Sequence, residues 1–303
     1  MRKIFRTHAV GAVLAMALVA VACGSGDGAV DGDPIRIASF NFNESVIVAE
    51  IYAQGLEANG YEVERKLNLG NREVVKPALE SAEIDLVPEY IGSLAGFLGV
   101  EQTADSEAMW EAAKAAFEEL GVTLLQYSPA QDKNAYVVTA ETASELGLST
   151  VSDLQPVAGE LRFGGPPECP ERPLCLIGLT DLYGLEFAEF VPLDSAGPIT
   201  IAALEGGDID VALLFSTQGI IAANGWVSLE DDKGLNPADN LAPAIRTEVV
   251  DAYGDELVAL LESYSEALTT EDLTELNKRA DLDQEDPALL AEEWLTTFGF
   301  LEE

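Results

Sequence analysis

Histidine is nearly missing from this 303-residue chain, which holds one, His8. Imidazole is the commonest general base near neutral pH and a frequent metal ligand, so its scarcity narrows the chemistry at once. Cations are scarce too: 16 Lys and Arg stand against 54 Asp and Glu, a net charge of −38. Nucleic acid binding depends on Lys and Arg neutralising phosphates, and this chain repels such a partner. The acidity suits a protein kept soluble at high ionic strength, and it draws cationic solutes closer at low salt. No GxxxxGK(S/T) string is present, so any ATP hydrolysis belongs to another subunit. After the first two dozen residues, no apolar run approaches the roughly 20 residues that cross a bilayer.

What is present begins with a cationic start, Arg2, Lys3 and Arg6, followed by the mostly apolar run Ala9 to Ala22 and then Cys23-Gly24. That order predicts a secretory signal peptide over residues 1–22. Small residues leading to Cys23 resemble the lipobox of bacterial lipoproteins, where the cysteine is acylated and anchors the exported chain to the outer face of the cell membrane. An ordinary signal peptide or an uncleaved anchor is the plainer alternative. Cleavage before Cys23 would also remove His8. That excludes Ser-His-Asp triads, Cys-His pairs and histidine-based zinc sites, and makes a binding protein a better starting point than an enzyme. Once Cys23 is assigned to lipid, Cys169 and Cys175 remain as an even pair in a Pro-rich loop. In an oxidising compartment they are expected to form a disulfide, the alternative being two thiols.

Residues 23–34 are rich in Gly and Asp and read as a flexible tether. Strand and helix then alternate, the pattern of an α/β chain with largely parallel sheets. Strands are predicted over Ile35–Phe40, Tyr61–Leu67, Ile84–Val87, Leu161–Gly164, Phe187–Val191 and Val211–Phe215. Asn43 is placed as N-cap of a helix over Glu44–Asn59, and Asn71 as N-cap of a second helix running to Ala82. Further helices are expected near Leu174–Leu182, Ile199–Gly206 and Thr217–Asn224. The end of the chain reads as helical over Thr247–Ser263, Thr270–Ala280 and Pro287–Phe298. Tyr183, Trp226 and Trp294 read as packing.

The segment Leu67–Ser93 reads LNLGNREVVKPALESAEIDLVPEYIGS. With Ala38–Phe42 before it, it closely resembles the substrate-binding proteins of glycine betaine, choline and carnitine ABC importers. Four further strings fall in the same order: Phe163–Glu168 with Arg172-Pro173, Ala203–Val211, Phe215–Gly219, and Leu229–Lys233. The resemblance implies a two-lobed, type II periplasmic-binding-protein fold that closes on its ligand. Lobe one would be 35–136 plus 242–303, and lobe two 137–241, with hinge crossings near Tyr136–Val138 and Asn240–Ala242. It also implies a small quaternary ammonium or zwitterionic ligand, delivery to an ABC permease with its ATPase subunit, and no cofactor or metal. A monomer is expected.

A quaternary ammonium has no N–H to donate, so aromatic faces hold it instead. The resemblance assigns Tyr90 and Tyr136 to such a cage, with Phe215 near a third ring position. Ser93 stands at a polar position beside Tyr90 that tunes ligand choice in relatives, and Arg172 would grip a ligand carboxylate with its planar fork. Asn41, Glu168 and Thr217 lie in or beside the matched strings and join the candidates. Phe40 stands where many relatives carry Lys, and Ala238-Asp239-Asn240 where they often carry a cage tyrosine. Phe40, Asp239 and Asn240 therefore give this pocket its own character, with Asp239 neutralising a cation or bonding a polar ligand. Two other classes compete with this reading: a sensor or adhesin lobe that binds without transport, and a secreted hydrolase using paired carboxylates such as Glu168 and Glu171.

Overall fold

The computed structural model describes residue 30 and residues 32–302. The expected signal peptide and the lipid-anchor cysteine, Cys23, lie outside the described residues. Ten strands are described: β1 (Ile35–Phe40), β2 (Val63–Gly70), β3 (Leu86–Tyr90), β4 (Val122–Leu124), β5 (Asn134–Val138), β6 (Arg162–Gly165), β7 (Glu189–Pro192), β8 (Val211–Phe215), β9 (Val227–Ser228) and β10 (Leu241–Arg246). They form two five-stranded sheets, ordered β2-β1-β3-β10-β4 and β7-β6-β8-β5-β9. The central strands are covered on both faces, which is why IRIASF and VALLF read as near-continuous apolar runs rather than alternating ones.

The two sheets share one pattern. β1 pairs in parallel with β2 and β3, and β6 with β7 and β8. The strand made immediately after each passage between sheets, β5 or β10, runs antiparallel to its neighbours. The starts of β5 and β10 therefore meet the C-terminal ends of the parallel strands along one edge of each sheet. In open α/β sheets ligands bind at that edge.

The two passages run side by side. Asp132 N donates to Asp239 O at 3.1 Å, Leu241 N donates to Ala130 O at 3.2 Å, and Gln131 bridges Asn240. The expected crossing at Tyr136–Val138 is displaced, because those residues lie within β5 of the second sheet. The chain leaves the first sheet after β4 and enters the second at Asn134.

Two local expectations change for physical reasons. The first helix runs Asn43–Ala58 with Phe42 at the N-cap position, and the Asn43 amide donates to Asp281 Oδ1 at 2.8 Å instead of capping its own turn. The expected helix Thr247–Ser263 is two helices, Thr247–Tyr253 and Asp255–Ala267, because Gly254 sits at φ 75°, outside any right-handed helix. Asn71 does precede the helix Arg72–Glu80, but its side chain makes no capping bond.

The C-terminal helices Asp255–Ala267, Thr270–Asp281 and Pro287–Thr297 belong with the first sheet: Leu257, Leu261, Leu290 and Trp294 join its core. Thr269 and Asp272 form a reciprocal cap at the start of the middle one. Tyr183 and Trp294 are buried packing residues, and Trp226 packs against the second sheet's core, as their sequence context suggests. Cys169 and Cys175 are disulfide-bonded, with Cα atoms 5.2 Å apart. Among the described residues no helix is long and apolar enough to cross a membrane.

The first helix meets Asp255–Ala267 at Gly55, where an added Cβ would come within 2.6 Å of the Tyr264 ring. That ring is 1% exposed and stands 4.9 Å from Phe300, so it has no room to retreat. Alanine gains about 1 kcal/mol in helix propensity over glycine. Overpacking a closed core costs about 1–3 kcal/mol and outweighs that gain. Gly55→Ala is expected to lower the urea unfolding midpoint; a midpoint at or above wild type would show that the ring can yield.

Candidate functional site

One cavity of about 840 Å³, measured out to its mouth, opens between the sheets at the edge just described. β1 delivers Phe40 at its end, with Asn41 and Phe42 in the turn that follows; β3 delivers Tyr90 and β8 delivers Phe215. These rings form one cluster. Phe42 lies 6.0 Å from Phe40, 6.0 Å from Tyr90 and 5.0 Å from Phe215, so it joins first-sheet rings to a second-sheet ring. The guanidinium of Arg72 sits 5.2 Å from the centre of Phe40 and is paired with Glu89 at 2.8 Å. Phe40 thus packs under a cation that is already neutralised.

Carboxylates face the same space. Asp239 accepts from Gly92 N at 2.8 Å, Ser93 N at 2.9 Å and Ser93 Oγ at 2.6 Å. Burial pushes its carboxyl up to about 6, against the pull of those bonds and of Arg72. Asp132 accepts from Ser216 Oγ at 3.0 Å and Thr217 N at 3.1 Å. Its carboxyl is held well above the usual range by burial and by the charge of Glu44. Glu44 lies behind the rings, 4% exposed, and accepts from Tyr90 Oη at 2.7 Å, Thr217 Oγ1 at 2.6 Å and Asn277 Nδ2 at 2.5 Å. Burial raises it as well, and those three bonds oppose the shift.

Phe40, Asn41, Tyr90, Ser93, Glu168, Arg172, Phe215 and Asp239 all line the cavity. Arg172 does so while already engaged. Its Nη2 lies 2.9 and 2.7 Å from the two oxygens of Glu73, its Nε donates to Oε1 at 3.1 Å, and Glu168 stands 3.7 Å away. The same guanidinium is 5.6 Å from the centre of Phe97. Arg172 is carried in the loop closed by the Cys169–Cys175 disulfide, so that loop reaches across the cavity to the first lobe.

Three expected residues lie elsewhere. Tyr136 is 1% exposed in the second sheet's core, 6.2 Å from Phe163, with its hydroxyl donating to Leu174 O at 3.2 Å. Side chains two apart on a strand share a face, and Asn134, two residues nearer the edge, takes the cavity position opposite Phe215. Thr217 is fully buried behind the rings and donates to Glu44. Asn240 is 2% exposed in the returning passage, where its amide donates to Ser128 O at 2.9 Å.

Sequence reading missed Phe42, Arg72, Asp132 and Glu44. Phe42 lay inside the matched string Ala38–Phe42 and was within reach. Glu44 had no such signal, since an acid in a first helical turn ordinarily reads as complementing the helix dipole. Among the described residues no cluster of three or more Cys, Asp or Glu is arranged to hold a metal. The lining offers ring faces, the carboxylates of Asp132 and Asp239, and one lysine, Lys133, beside the paired guanidiniums of Arg72 and Arg172; ring faces and carboxylates are complementary to an organic cation.

Comparison with known proteins agrees with that chemistry. The family model for the substrate-binding domain of ABC-type glycine betaine transport systems matches residues 33–297. The chain is 29% identical over 286 residues to a glycine-betaine-binding protein of Pseudomonas aeruginosa, covering 91% of each. It is 30% identical over 282 residues to a carnitine transport binding protein of Listeria monocytogenes, again covering 91% of each. Among solved structures, a glycine betaine/carnitine/choline ABC transporter protein superposes with a TM-score of 0.69 at 26% identity, over 88% of this chain and 99% of that one. The chain belongs to the family of substrate-binding domains of ABC-type glycine betaine transport systems, a two-lobed type II periplasmic-binding fold whose members are solute receptors and not enzymes.

Proposed function

We propose that this chain captures a small quaternary ammonium solute, of the glycine betaine, choline or carnitine type, in the cavity between its lobes and delivers it to an ABC permease driven by a separate ATPase. The observation that carries this reading is the four-ring cluster Phe40, Phe42, Tyr90 and Phe215 sharing one cavity with Asp132 and Asp239. A desolvated ring face attracts such a cation by up to about 2 kcal/mol. Ring faces need no proton donor from the ligand, which a trimethylammonium lacks. The names of the relatives support the same class of ligand.

The paired passages at Ala130–Asp132 and Asp239–Leu241 are the hinge in this reading, and lobe one is the first sheet with the C-terminal helices. The Arg172–Glu73 pair and the Phe42–Phe215 contact join the lobes across the cavity mouth and belong to the closed state. The cationic start and apolar run before Cys23 support an exported, lipid-anchored chain.

Isothermal titration calorimetry with choline, glycine betaine, carnitine and amino-acid controls tests the reading, and heat is expected with at least one methylated ammonium. Silence with all of them would sink it. Tyr90→Ala and Phe42→Ala should each weaken that binding at least tenfold, about 1.4 kcal/mol. Unchanged affinity in both would reduce the rings to packing.

Acid should weaken binding. A bound cation favours the ionised form of Asp239, whose carboxyl titrates near 6. Affinity is then steady above that pH and falls below it, by at most about tenfold per pH unit for a single linked proton. Asp239→Asn should flatten the part of the fall centred near 6, and a profile identical to wild type would remove Asp239 from the linkage.

A further inference from the structure

Glu44 is the most unusual ionisable group in the molecule. It lies in the first turn of the helix Asn43–Ala58, where unpaired backbone N–H groups favour an anion. No Lys or Arg among the described residues forms an ion pair with it; the charge of Asp281 raises its carboxyl, and its own charge raises that of Asp132. Its three partners come from three separate parts of the chain: Tyr90 at the end of β3, Thr217 after β8, and Asn277 on the C-terminal helix Thr270–Asp281. Asn277 also donates to Thr217 Oγ1 at 3.0 Å, which fixes that hydroxyl in place.

We propose that Glu44 is a positioning residue for the ligand cage, acting through the Tyr90 ring and not by touching ligand. Accepting the phenol proton at 2.7 Å locks the ring's orientation in the cavity wall. It also pushes electron density from the phenol oxygen into the ring, which strengthens the face that meets a cation. Thr217 ties the other carboxylate oxygen to the second lobe, so this ring posture is completed only when the lobes meet. A carboxylate with no base beside it is costly to bury, and a cation arriving on the far side of the ring offsets part of that cost. The inference rests on the reading of the cavity as a quaternary ammonium site.

A charge effect separates from a packing effect by comparing choline with its carbon isostere, in which a tert-butyl group replaces the trimethylammonium. Where glycine betaine is the tighter ligand, its tert-butyl isostere serves in the same way. Glu44→Gln should weaken the ammonium ligand about tenfold while changing the isostere less than about twofold, the difference being the cation–ring term. Tyr90→Phe, which keeps the ring and removes the hydroxyl, should show the same selective loss. Adding Glu44→Gln to it should then cost the ammonium ligand little more, because both changes act through the one Tyr90–Glu44 hydrogen bond, the first removing its donor and the second its acceptor's charge. Equal losses for ammonium and isostere, full additivity in the double variant, or no loss in either single variant overturns the proposal. If Glu44→Gln fails to fold, Tyr90→Phe with the two ligands decides alone: an equal effect on both overturns it. A wild-type protein that binds no methylated ammonium overturns the cavity reading itself, and that failure is visible before any variant is made.

Discussion

Carboxylates buried outside any ion pair at the meeting of two lobes are the constraint around which this molecule is arranged. Glu44, Asp132 and Asp239 are each at most 4% exposed. An ionised carboxylate in such a place must find donors or take up a proton, and each of these finds donors. Those donors come from distant segments: Gly92 and Ser93 for Asp239, Ser216 and Thr217 for Asp132, and Tyr90, Thr217 and Asn277 for Glu44. Satisfying the acids therefore brings together the edge of the first sheet, the edge of the second, both passages between them and one C-terminal helix.

The cavity's two guanidiniums contrast with its acids. Arg72 is committed to Glu89 and Arg172 to Glu73, so each guanidinium brings its own counter-charge. Arg172, expected to grip a ligand carboxylate, lines the cavity with its fork engaged by Glu73 of the first lobe. The disulfide beside it holds a short loop whose closure contributes modest chain entropy, and its consequence lies in where it presents that guanidinium.

Much of the cavity was legible in the sequence through the strings that resemble the family, several of which fall where strands end. Phe40 and Phe215 end the apolar strands Ile35–Phe40 and Val211–Phe215, whereas Tyr90 lies beyond the expected strand Ile84–Val87 and was assigned by the resemblance. Tyr136, assigned by the same resemblance, misled. It lies in an equally apolar run, but β5 enters its sheet antiparallel, so the cavity meets the start of that strand and not its middle. A sequence shows that a strand exists but not which end faces a ligand. The merged helix at Thr247–Ser263 failed more simply: Gly254 inside an acidic amphipathic stretch reads as tolerated until its φ is known.

By itself the sequence determined the alternation of strands and helices, the near absence of imidazole chemistry, the acidic surface, and the pairing of Cys169 with Cys175 as the expected bridge. These follow from residue type and short-range spacing, which the chain carries locally. Tertiary structure alone decided that Phe42 links the rings of the two lobes, that Arg172 reaches Glu73, that Tyr136 is core, and that Glu44 stands behind Tyr90. Each of those depends on a contact between segments far apart in the chain, and such a contact exists only once both sheets have folded and met.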